Sequence, residues 1–263
     1  MFFIGALWLP ESPRWLIKAG KDARAKDILN KIGGEGFGSE SLKAIERSMA
    51  GKGKANYGHV FKKGVLPAVI VGIGLAVFQQ LCGINTVFNY APKIFQSIGA
   101  SQDDQLLQTV FISGVNLVFT VMAMLLVDKL GRKPLMLIGA GGLAILYVIV
   151  AQLLGAHSAS VAWFLLAAIG VYAMSLAPVT WVLISEIFPN NVRGEATSIS
   201  VISLWAAYFI LVFTFPMLFK VLQERSFYIY AGMCVLGFLF VWWKVKETKG
   251  KTLEELEGVM AMH

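Results

Sequence analysis

Three amide side chains stand in a stretch that is otherwise apolar. Gln79, Gln80 and Asn85 flank Gly83, and the segment before them, Val65–Phe78, carries no charge. An amide in hydrocarbon is costly unless it is hydrogen-bonded, so such residues face a cavity, a neighbouring helix or a ligand. Because an amide donates and accepts hydrogen bonds without carrying charge, the cluster favours a neutral polyhydroxylated ligand over an ion.

The spacing of these amides predicts an interrupted helix. On a straight helix Gln80 and Asn85 would point about 140° apart, whereas an unwound turn at Gly83 would bring both to one side. Asn89 follows Asn85 by four residues and shares its face. Transporters commonly bind substrates at such discontinuous helices. The alternative is that the amides only join helices, at about 0.6–2 kcal/mol per contact.

Polar and aromatic residues in neighbouring spans are further candidates for this site. Asn116 and Trp205 lie in the middle of spans, and for Trp205 this is away from the membrane interfaces that tryptophan usually occupies. Trp181 follows Pro178, which leaves the carbonyl of Met174 without its helical donor. An indole offers a flat apolar face and one N–H, which suits a polyhydroxylated ring. Packing inside the bundle is the alternative for each tryptophan.

A second group of candidates consists of opposite charges at helix ends. Asp128 and Arg132 frame one tight turn, and Glu186 and Arg193 frame another. Similar pairs occur near the two ends of the chain: Glu11 with Arg14, and Glu247 with Lys249. Exposed ion pairs contribute only about 0–1 kcal/mol each, so only a network could bias a conformational equilibrium. The alternative is that these charges only set the membrane topology.

The composition predicts an all-α membrane protein. The chain has 263 residues, of which 57% are hydrophobic and 15% charged, and its mean hydropathy is +0.67. A soluble domain carries about 25% charged residues, and a span needs about 20 apolar residues. Six spans are predicted: 65–97, 105–127, 135–154, 161–187, 195–219 and 227–245.

The distribution of positive charge predicts the orientation in the membrane. The net charge is +7, and of the 23 Lys and Arg residues only Lys93, Lys220 and Arg225 lie toward one side of the membrane. The excess on the other side is typical of cytoplasmic loops. This predicts a multi-pass protein of the cell (inner) membrane with a cytoplasmic C-terminus. The same distribution explains the charge without nucleic-acid binding.

Nothing in the sequence indicates an enzyme, a metal site or a cofactor. Cys82 and Cys234 lie inside spans, and the three histidines are His59, His157 and His263. There is no Gly-x-Ser-x-Gly or His-Glu-x-x-His motif, nor an acidic pair deep within a span. We therefore expect no catalytic residues, no metal and no cofactor.

The organisation along the chain predicts a fragment of a larger transmembrane protein. The predicted parts are the end of a preceding transmembrane helix (1–9), a cytoplasmic helical linker (10–63), a six-helix bundle (64–246) and a cytoplasmic tail (247–263). Helical periodicity within the linker predicts two short amphipathic helices, at 21–32 and 39–49.

Five motifs, in this order, resemble the sugar porter family of the major facilitator superfamily. They are Pro10-Glu11-Ser12-Pro13-Arg14-Trp15-Leu16, Gln79-Gln80-x-x-Gly83-Ile84-Asn85, Asp128-x-x-Gly131-Arg132-Lys133, Glu186-x6-Arg193-Gly194 and Glu247-Thr248-Lys249-Gly250. The resemblance implies the C-terminal six-helix half of a twelve-helix fold, helices 7 to 12, with short cytoplasmic helices. It also implies that the N-terminal six-helix half is a partner, together with the lipid bilayer.

The same resemblance implies roles for individual residues. The sugar contacts of the family fall on Gln79, Gln80, Asn85, Asn116 and Trp181, with Trp205 on helix 11. Asn89 stands where the family has the first of two tyrosines, before Tyr90, and that position helps to close the outer gate. The cytoplasmic latch falls on Asp128, Arg132, Glu186 and Arg193.

The resemblance implies a transport function and leaves its energy source open. The expected activity is transport of a monosaccharide, xylose or a related pentose or hexose, by alternating access with proton symport. The carboxylate implicated in proton coupling lies on helix 1 of such proteins, before the part of the fold that this chain matches. A facilitative uniporter and a membrane sugar sensor that does not transport are the alternatives.

Overall fold

The computed structural model describes residues 10–34, 36–50, 57–62, 64–97, 102–189 and 192–250. All regular elements in these ranges are helices. The segment assigned to a preceding transmembrane helix, 1–9, and most of the predicted tail, 251–263, lie outside the described residues. The chain divides into two compact units, on either side of residue 56; the domain boundaries drawn from the sequence stay predictions.

The first unit contains three short helices: α1 (Pro13–Lys18), α2 (Asp22–Gly33) and α3 (Phe37–Ala50). The two amphipathic helices predicted in the linker are confirmed as α2 and α3. The apolar stripe of α2 buries Ala25 and Leu29, and α1 buries Leu16. The expected pairing of Glu11 with Arg14 is wrong, because Glu11 lies 3.6 Å from Arg24 instead.

The second unit contains the apolar helices. After a 3₁₀ turn (Tyr57–Phe61), they are α4 (Leu66–Leu81), α5 (Ile84–Ser97), α6 (Gln102–Leu130), α7 (Arg132–Gly155), α8 (Val161–Met174), α9 (Leu176–Glu186), α10 (Arg193–Leu222) and α11 (Ser226–Lys244). Helix α11 packs along α7, α10 packs along α4, and α8 contacts both α6 and α7.

Five stretches of these helices are long and apolar enough to cross a membrane: Leu66–Ile94, Val110–Leu130, Arg132–Gly155, Val161–Glu186 and Arg193–Lys244. The last contains 52 residues, which as one helix would extend about 78 Å across a hydrocarbon layer of about 30 Å. A 3₁₀ turn at Gln223–Arg225 breaks it into α10 and α11. With 30 and 19 residues, α10 and α11 are each long enough for one crossing, so six spans fit these five stretches, and the six-span count stays a prediction.

Helices α4 and α11 approach each other through two reciprocal contacts between glycine and phenylalanine. The ring of Phe78 on α4 lies against Gly237, and the ring of Phe240 on α11 lies against Gly74. A Cβ added at either glycine would overlap the facing ring. The absence of a side chain at both positions lets the two helices pack closely, as small residues do in other membrane proteins.

The contact between Gly237 and Phe78 predicts how a methyl group added at Gly237 would affect stability. Changing Gly237→Ala should displace the Phe78 ring and destabilise the bundle by about 1–3 kcal/mol. The matched control is Gly232→Ala on the same helix, because an added Cβ there meets nothing within 4 Å. Thermal unfolding in detergent measures both variants. Equal midpoints for the two would contradict the close packing of α4 on α11.

Candidate functional site

The helix carrying the amides is interrupted at Gly83. Helix α4 ends at Leu81 and α5 begins at Ile84, and Gly83 has φ +84°, a conformation that residues with a Cβ rarely adopt. A Cβ there would also lie 2.5 Å from the ring of Tyr230. The interruption predicted from the amide spacing is confirmed.

A second interruption lies at Ser175, between α8 and α9. Ser175 has φ −125° and ψ −85°, outside the helical region. Pro178 follows in the first turn of α9, where its missing N–H is tolerated. Gly139 of α7 lies so close that an added Cβ would overlap the side chains of Ser175 and Leu176. The broken helix is thus held tightly against α7.

A chain of amide hydrogen bonds joins the two interruptions. Gln79 Nε2 donates to the backbone oxygens of Leu176 at 3.3 Å and Ala177 at 3.1 Å. Gln80 Nε2 donates to Gln79 Oε1 at 3.3 Å, and Asn85 Nδ2 donates to Gln80 Oε1 at 2.5 Å. The structure therefore brings Gln79, Gln80 and Asn85 together. An unwound turn at Gly83 was predicted to bring Gln80 and Asn85 to one side.

Burial changes along this amide chain. Gln79 is 2% exposed and Gln80 is 5% exposed, while Asn85 is half-buried. Gln79 makes the helix–helix contact that the alternative interpretation expected, and Asn85 forms the accessible end. The role of these amides as ligand contacts stays a prediction.

Asn89 and Tyr90 attach α5 to α10. Asn89 Nδ2 donates to the backbone oxygen of Asn85 at 2.7 Å and to the hydroxyl of Tyr208 at 3.2 Å. The Tyr90 hydroxyl donates to the backbone oxygen of Val212 at 3.0 Å. Tyr208 also packs edge-on against Trp205, with ring centroids 5.6 Å apart. Trp205 is thereby linked to the amides through Tyr208 and Asn89.

Tyr208 was not among the predicted site residues. The available signal was its position three residues after Trp205, which places the two rings on one helical face. A phenol inside an apolar span needs a hydrogen-bond partner, and here that partner is Asn89.

Trp181 and Asn116 are not joined to the amide chain by a contact between described residues. Trp181 lies on α9 one turn after Ala177, whose carbonyl Gln79 bonds, and is 45% exposed. Asn116 lies half-buried on α6, and its side chain makes no hydrogen bond to another residue in the described part of the chain. Both side chains are accessible, and their role as ligand contacts stays a prediction.

Three of the four predicted latch residues form one network. Arg132, at the start of α7, contacts Asp128 at 3.2 Å and Glu186 at 3.0 Å. Its side chain is 14% exposed and that of Glu186 is 24% exposed, whereas Asp128 is 79% exposed. The less exposed pair contributes more, because solvent and salt screen an exposed pair.

Arg193 lies outside this network. Its Nε and Nη2 donate to the backbone oxygen of Phe188 at 3.2 and 3.1 Å, and no described carboxylate lies within ion-pair distance of it. An ion pair between Arg193 and Glu186 is thus absent among the described residues in this conformation, and the part of Arg193 in the latch stays a prediction. Arg193 instead closes the turn between α9 and α10.

The contacts of Glu247 were not predicted from the sequence, where it stood beside Lys249 as a charge pair and in a family motif. Helix α7 has a glycine, Gly131, at its N-cap and so lacks a capping side chain. The Glu247 carboxylate replaces it by accepting hydrogen bonds, each at 3.0 Å, from the backbone N–H groups of Arg132 and Lys133. The next residue, Thr248, donates to Glu186 Oε2.

The surroundings of Glu247 lower the pKa of its carboxyl group. Partial burial acts to raise the pKa, but backbone N–H donors from Lys249, Arg132, Lys133 and Thr248 outweigh it. A carboxylate at a helix N-terminus is also favoured by the helix dipole. The ionised form of Glu247 is therefore the one that stabilises this end of the bundle.

Changing Glu247→Gln should destabilise the protein at neutral pH by about 0.5–2 kcal/mol, the usual effect of losing an N-cap. The lowered pKa means that Glu247 stabilises the folded state above its ordinary value of 4.5, and that this stabilisation is lost as the pH falls through the folded value. Thermal midpoints of wild type and variant in detergent should converge in acid. The control is Asp128→Asn, which should change the free energy of unfolding by no more than about 0.5 kcal/mol because its side chain is exposed. A difference in thermal midpoint between wild type and Glu247→Gln that stays constant at all pH values would contradict the capping role.

Known proteins match this chain along nearly all of its length. A family model described as "Sugar (and other) transporter" matches residues 1–260. The D-xylose-proton symporter of Escherichia coli (strain K12) is 42% identical over 277 aligned residues, which cover 98% of this chain and 54% of the symporter. The arabinose-proton symporter of Bacillus subtilis (strain 168) is 39% identical, covering 98% of this chain and 56% of that protein.

A solved structure matches the fold. The structure of the major facilitator superfamily proton:xylose symporter XylE bound to 6-bromo-6-deoxy-D-glucose aligns with a TM-score of 0.79 and 40% identity. The match covers 98% of this chain and 56% of the symporter. The predicted fold class is confirmed, and the chain spans about half the length of the relatives it matches.

Proposed function

The chain belongs to the sugar transporter family, and on that premise we propose that it forms the C-terminal half of a twelve-helix transporter. The complete protein carries a monosaccharide, xylose or a related pentose or hexose, across the membrane by alternating access. The family is one of multi-pass membrane transporters and not of enzymes. The observation that carries the proposal is the chain of three neutral amides, two of them buried, that joins two helix interruptions.

The chemistry of this site suits a sugar better than an ion. Gln80 and Asn85 offer donors and acceptors without a net charge, so they match hydroxyl groups and give little compensation to a desolvated ion. The accessible indoles of Trp181 and Trp205 supply flat apolar faces for the C–H side of a sugar ring. Asn116 contributes a further accessible amide from α6.

The bundle also supports the N-terminal six-helix half as its partner. The apolar span Val110–Leu130 of α6 is only 17% buried within this chain. One face of α10 exposes Phe209, Phe213, Met217 and Val221. A substrate cavity of the complete transporter requires a second wall opposite the amides, and these faces offer the apolar surface on which the other half packs.

We further propose proton symport in the cell (inner) membrane with a cytoplasmic C-terminus. The similar symporters of E. coli and B. subtilis are named as proton-coupled, and the Lys and Arg distribution favours this orientation. Asp128, Glu186 and Glu195 lie at helix ends in the described part of the chain. The proton-binding carboxylate is therefore assigned to the other half. Facilitated diffusion is the second candidate, because the described spans carry no carboxylate at mid-depth.

Changing Gln80→Ala or Asn85→Ala in the complete transporter should weaken sugar binding about three- to tenfold each, since a typical hydrogen bond contributes about 0.5–1.5 kcal/mol. Uptake of radiolabelled D-xylose, L-arabinose and D-glucose by cells expressing each variant measures the effect. The control is Gln152→Ala, an exposed amide on α7. Unchanged uptake by both site variants at equal membrane abundance would remove the assignment.

Proton coupling predicts a pH change outside the cell. Adding the transported sugar to de-energised cells that express the complete transporter should make the medium more alkaline, because protons enter with the sugar. A protonophore should abolish the signal, and Gln80→Ala should reduce it in proportion to uptake. Sugar entry without a change in external pH would favour facilitated diffusion.

A further inference from the structure

An apolar groove lies at the surface of the bundle between α4 and α11. It encloses about 170 Å³, its lining side chains are all apolar, and none of them is a predicted site residue. Both helices belong to stretches that are apolar enough to cross a membrane, so the groove opens into hydrocarbon. Besides the two glycines of the close helix contact, the lining consists of Val77, Phe78, Leu81, Met233, Leu236 and Phe240.

The register of the two helices shows where the groove leads. The two reciprocal contacts between glycine and phenylalanine advance by one turn on each helix, in opposite directions along the chain. One turn beyond Gly74 and Phe240, the same register places Ile70 of α4 level with Trp243 and Lys244 of α11. All three of these side chains are exposed. The groove therefore leads to an exposed indole and an exposed ammonium group at the end of α11.

The length of the groove matches the depth of one lipid leaflet. Met233 lines its inner end, and the helical rise separates Met233 from Lys244 by about 16 Å. Half of a hydrocarbon layer of about 30 Å is about 15 Å. Tryptophan and lysine are typical of the boundary between hydrocarbon and headgroups. The groove consequently extends from the membrane surface to about the middle of the bilayer.

Lys244 supplies a positive charge that no described residue neutralises. It is the last residue of α11, and no described carboxylate lies within ion-pair distance of it. The acid that follows it in the chain, Glu247, instead accepts hydrogen bonds from the backbone of Arg132 and Lys133. A lysine in the last turn also complements the helix dipole, but that role does not require a groove beside it.

We propose that this groove binds one acyl chain of an anionic phospholipid, whose phosphate is held by the Lys244 ammonium. A single chain suits the depth and the apolar lining of the groove. A helix, which is about 10–12 Å across with its side chains, does not enter a depression of about 170 Å³. The anionic headgroup provides the opposite charge that the described residues do not supply to Lys244. The site is separate from the amides and does not depend on which sugar is carried.

The test measures lipid binding to the purified, delipidated complete transporter by native mass spectrometry. The probes are phosphatidylglycerol and phosphatidylcholine with identical acyl chains, because they differ in net charge and share the apolar part. Wild type should bind phosphatidylglycerol about fivefold more tightly, the effect of one lysine near an anionic headgroup. Its thermal midpoint should also rise more with phosphatidylglycerol, because the tighter ligand stabilises the folded state more.

Two lysine variants test the headgroup contact. Lys244→Gln should remove the preference for phosphatidylglycerol and leave the binding of phosphatidylcholine unchanged. The matched control is Lys129→Gln, which removes an exposed lysine at the end of α6. Lys249 Nζ bonds the backbone oxygen of Lys129, which places this control at the same end of the bundle. Lys129→Gln should keep the preference of the wild type.

Two tryptophan variants test the acyl-chain contact. Leu236→Trp fills the groove and should weaken the binding of both lipids about tenfold, the loss expected when roughly two methylene groups are no longer buried. The matched control is Leu239→Trp, at an exposed position of the same helix that does not line the groove. This control should bind both lipids as the wild type does.

Three results would overturn the inference. They are equal binding of the two lipids by wild type, an equal loss of preference in Lys129→Gln and Lys244→Gln, and equal weakening by Leu239→Trp and Leu236→Trp. If Leu236→Trp does not accumulate in the membrane, the wild type and the two lysine variants still decide the headgroup contact. The measurement contains no sugar, so a negative result here leaves the proposed function unaffected.

Discussion

Backbone polar groups inside a hydrocarbon layer have no water to bond, so each interruption of a helix there depends on another part of the protein. This chain interrupts two spans, at Gly83 and at Ser175. The side chain that bonds the start of the second half-helix, Gln79, lies on the helix that ends at the first interruption. The two helix interruptions are therefore in direct contact, and the accessible amide of Asn85 lies beside them.

Local features of this architecture were predictable because their causes are local. Long apolar runs indicate spans, and their charged boundaries indicate loops. Gly83 between two amides indicated a broken helix, since a straight helix would point Gln80 and Asn85 to different sides. The amphipathic periodicity of α2 and α3 likewise depends only on residues within each helix. The five motifs, in their order along the chain, indicated the family, and the matches to known transporters confirm it.

The long-range contacts were not predictable, because spacing along a helix shows which residues share a face and not what that face meets. Gln79 bonds carbonyls 97 and 98 residues away, on a different span. Tyr208 meets Asn89 only because α10 packs beside α5. Arg193 was expected to pair with Glu186 on the basis of charge alone, yet the nearby carbonyl of Phe188 satisfies it within its own turn. Opposite charge in a sequence does not specify a partner when a backbone acceptor is closer.

The cap on α7 has a consequence for the order in which the protein can assemble. The N–H groups of Arg132 and Lys133 are bonded by a carboxylate that lies 115 and 114 residues later in the chain. A ribosome synthesises that carboxylate only after α11, so the start of α7 enters the membrane before its acceptor exists. Until then water or lipid headgroups must solvate those two backbone amides, and the contacts of Glu247 with this end of the bundle can form only after α11 has left the translocon.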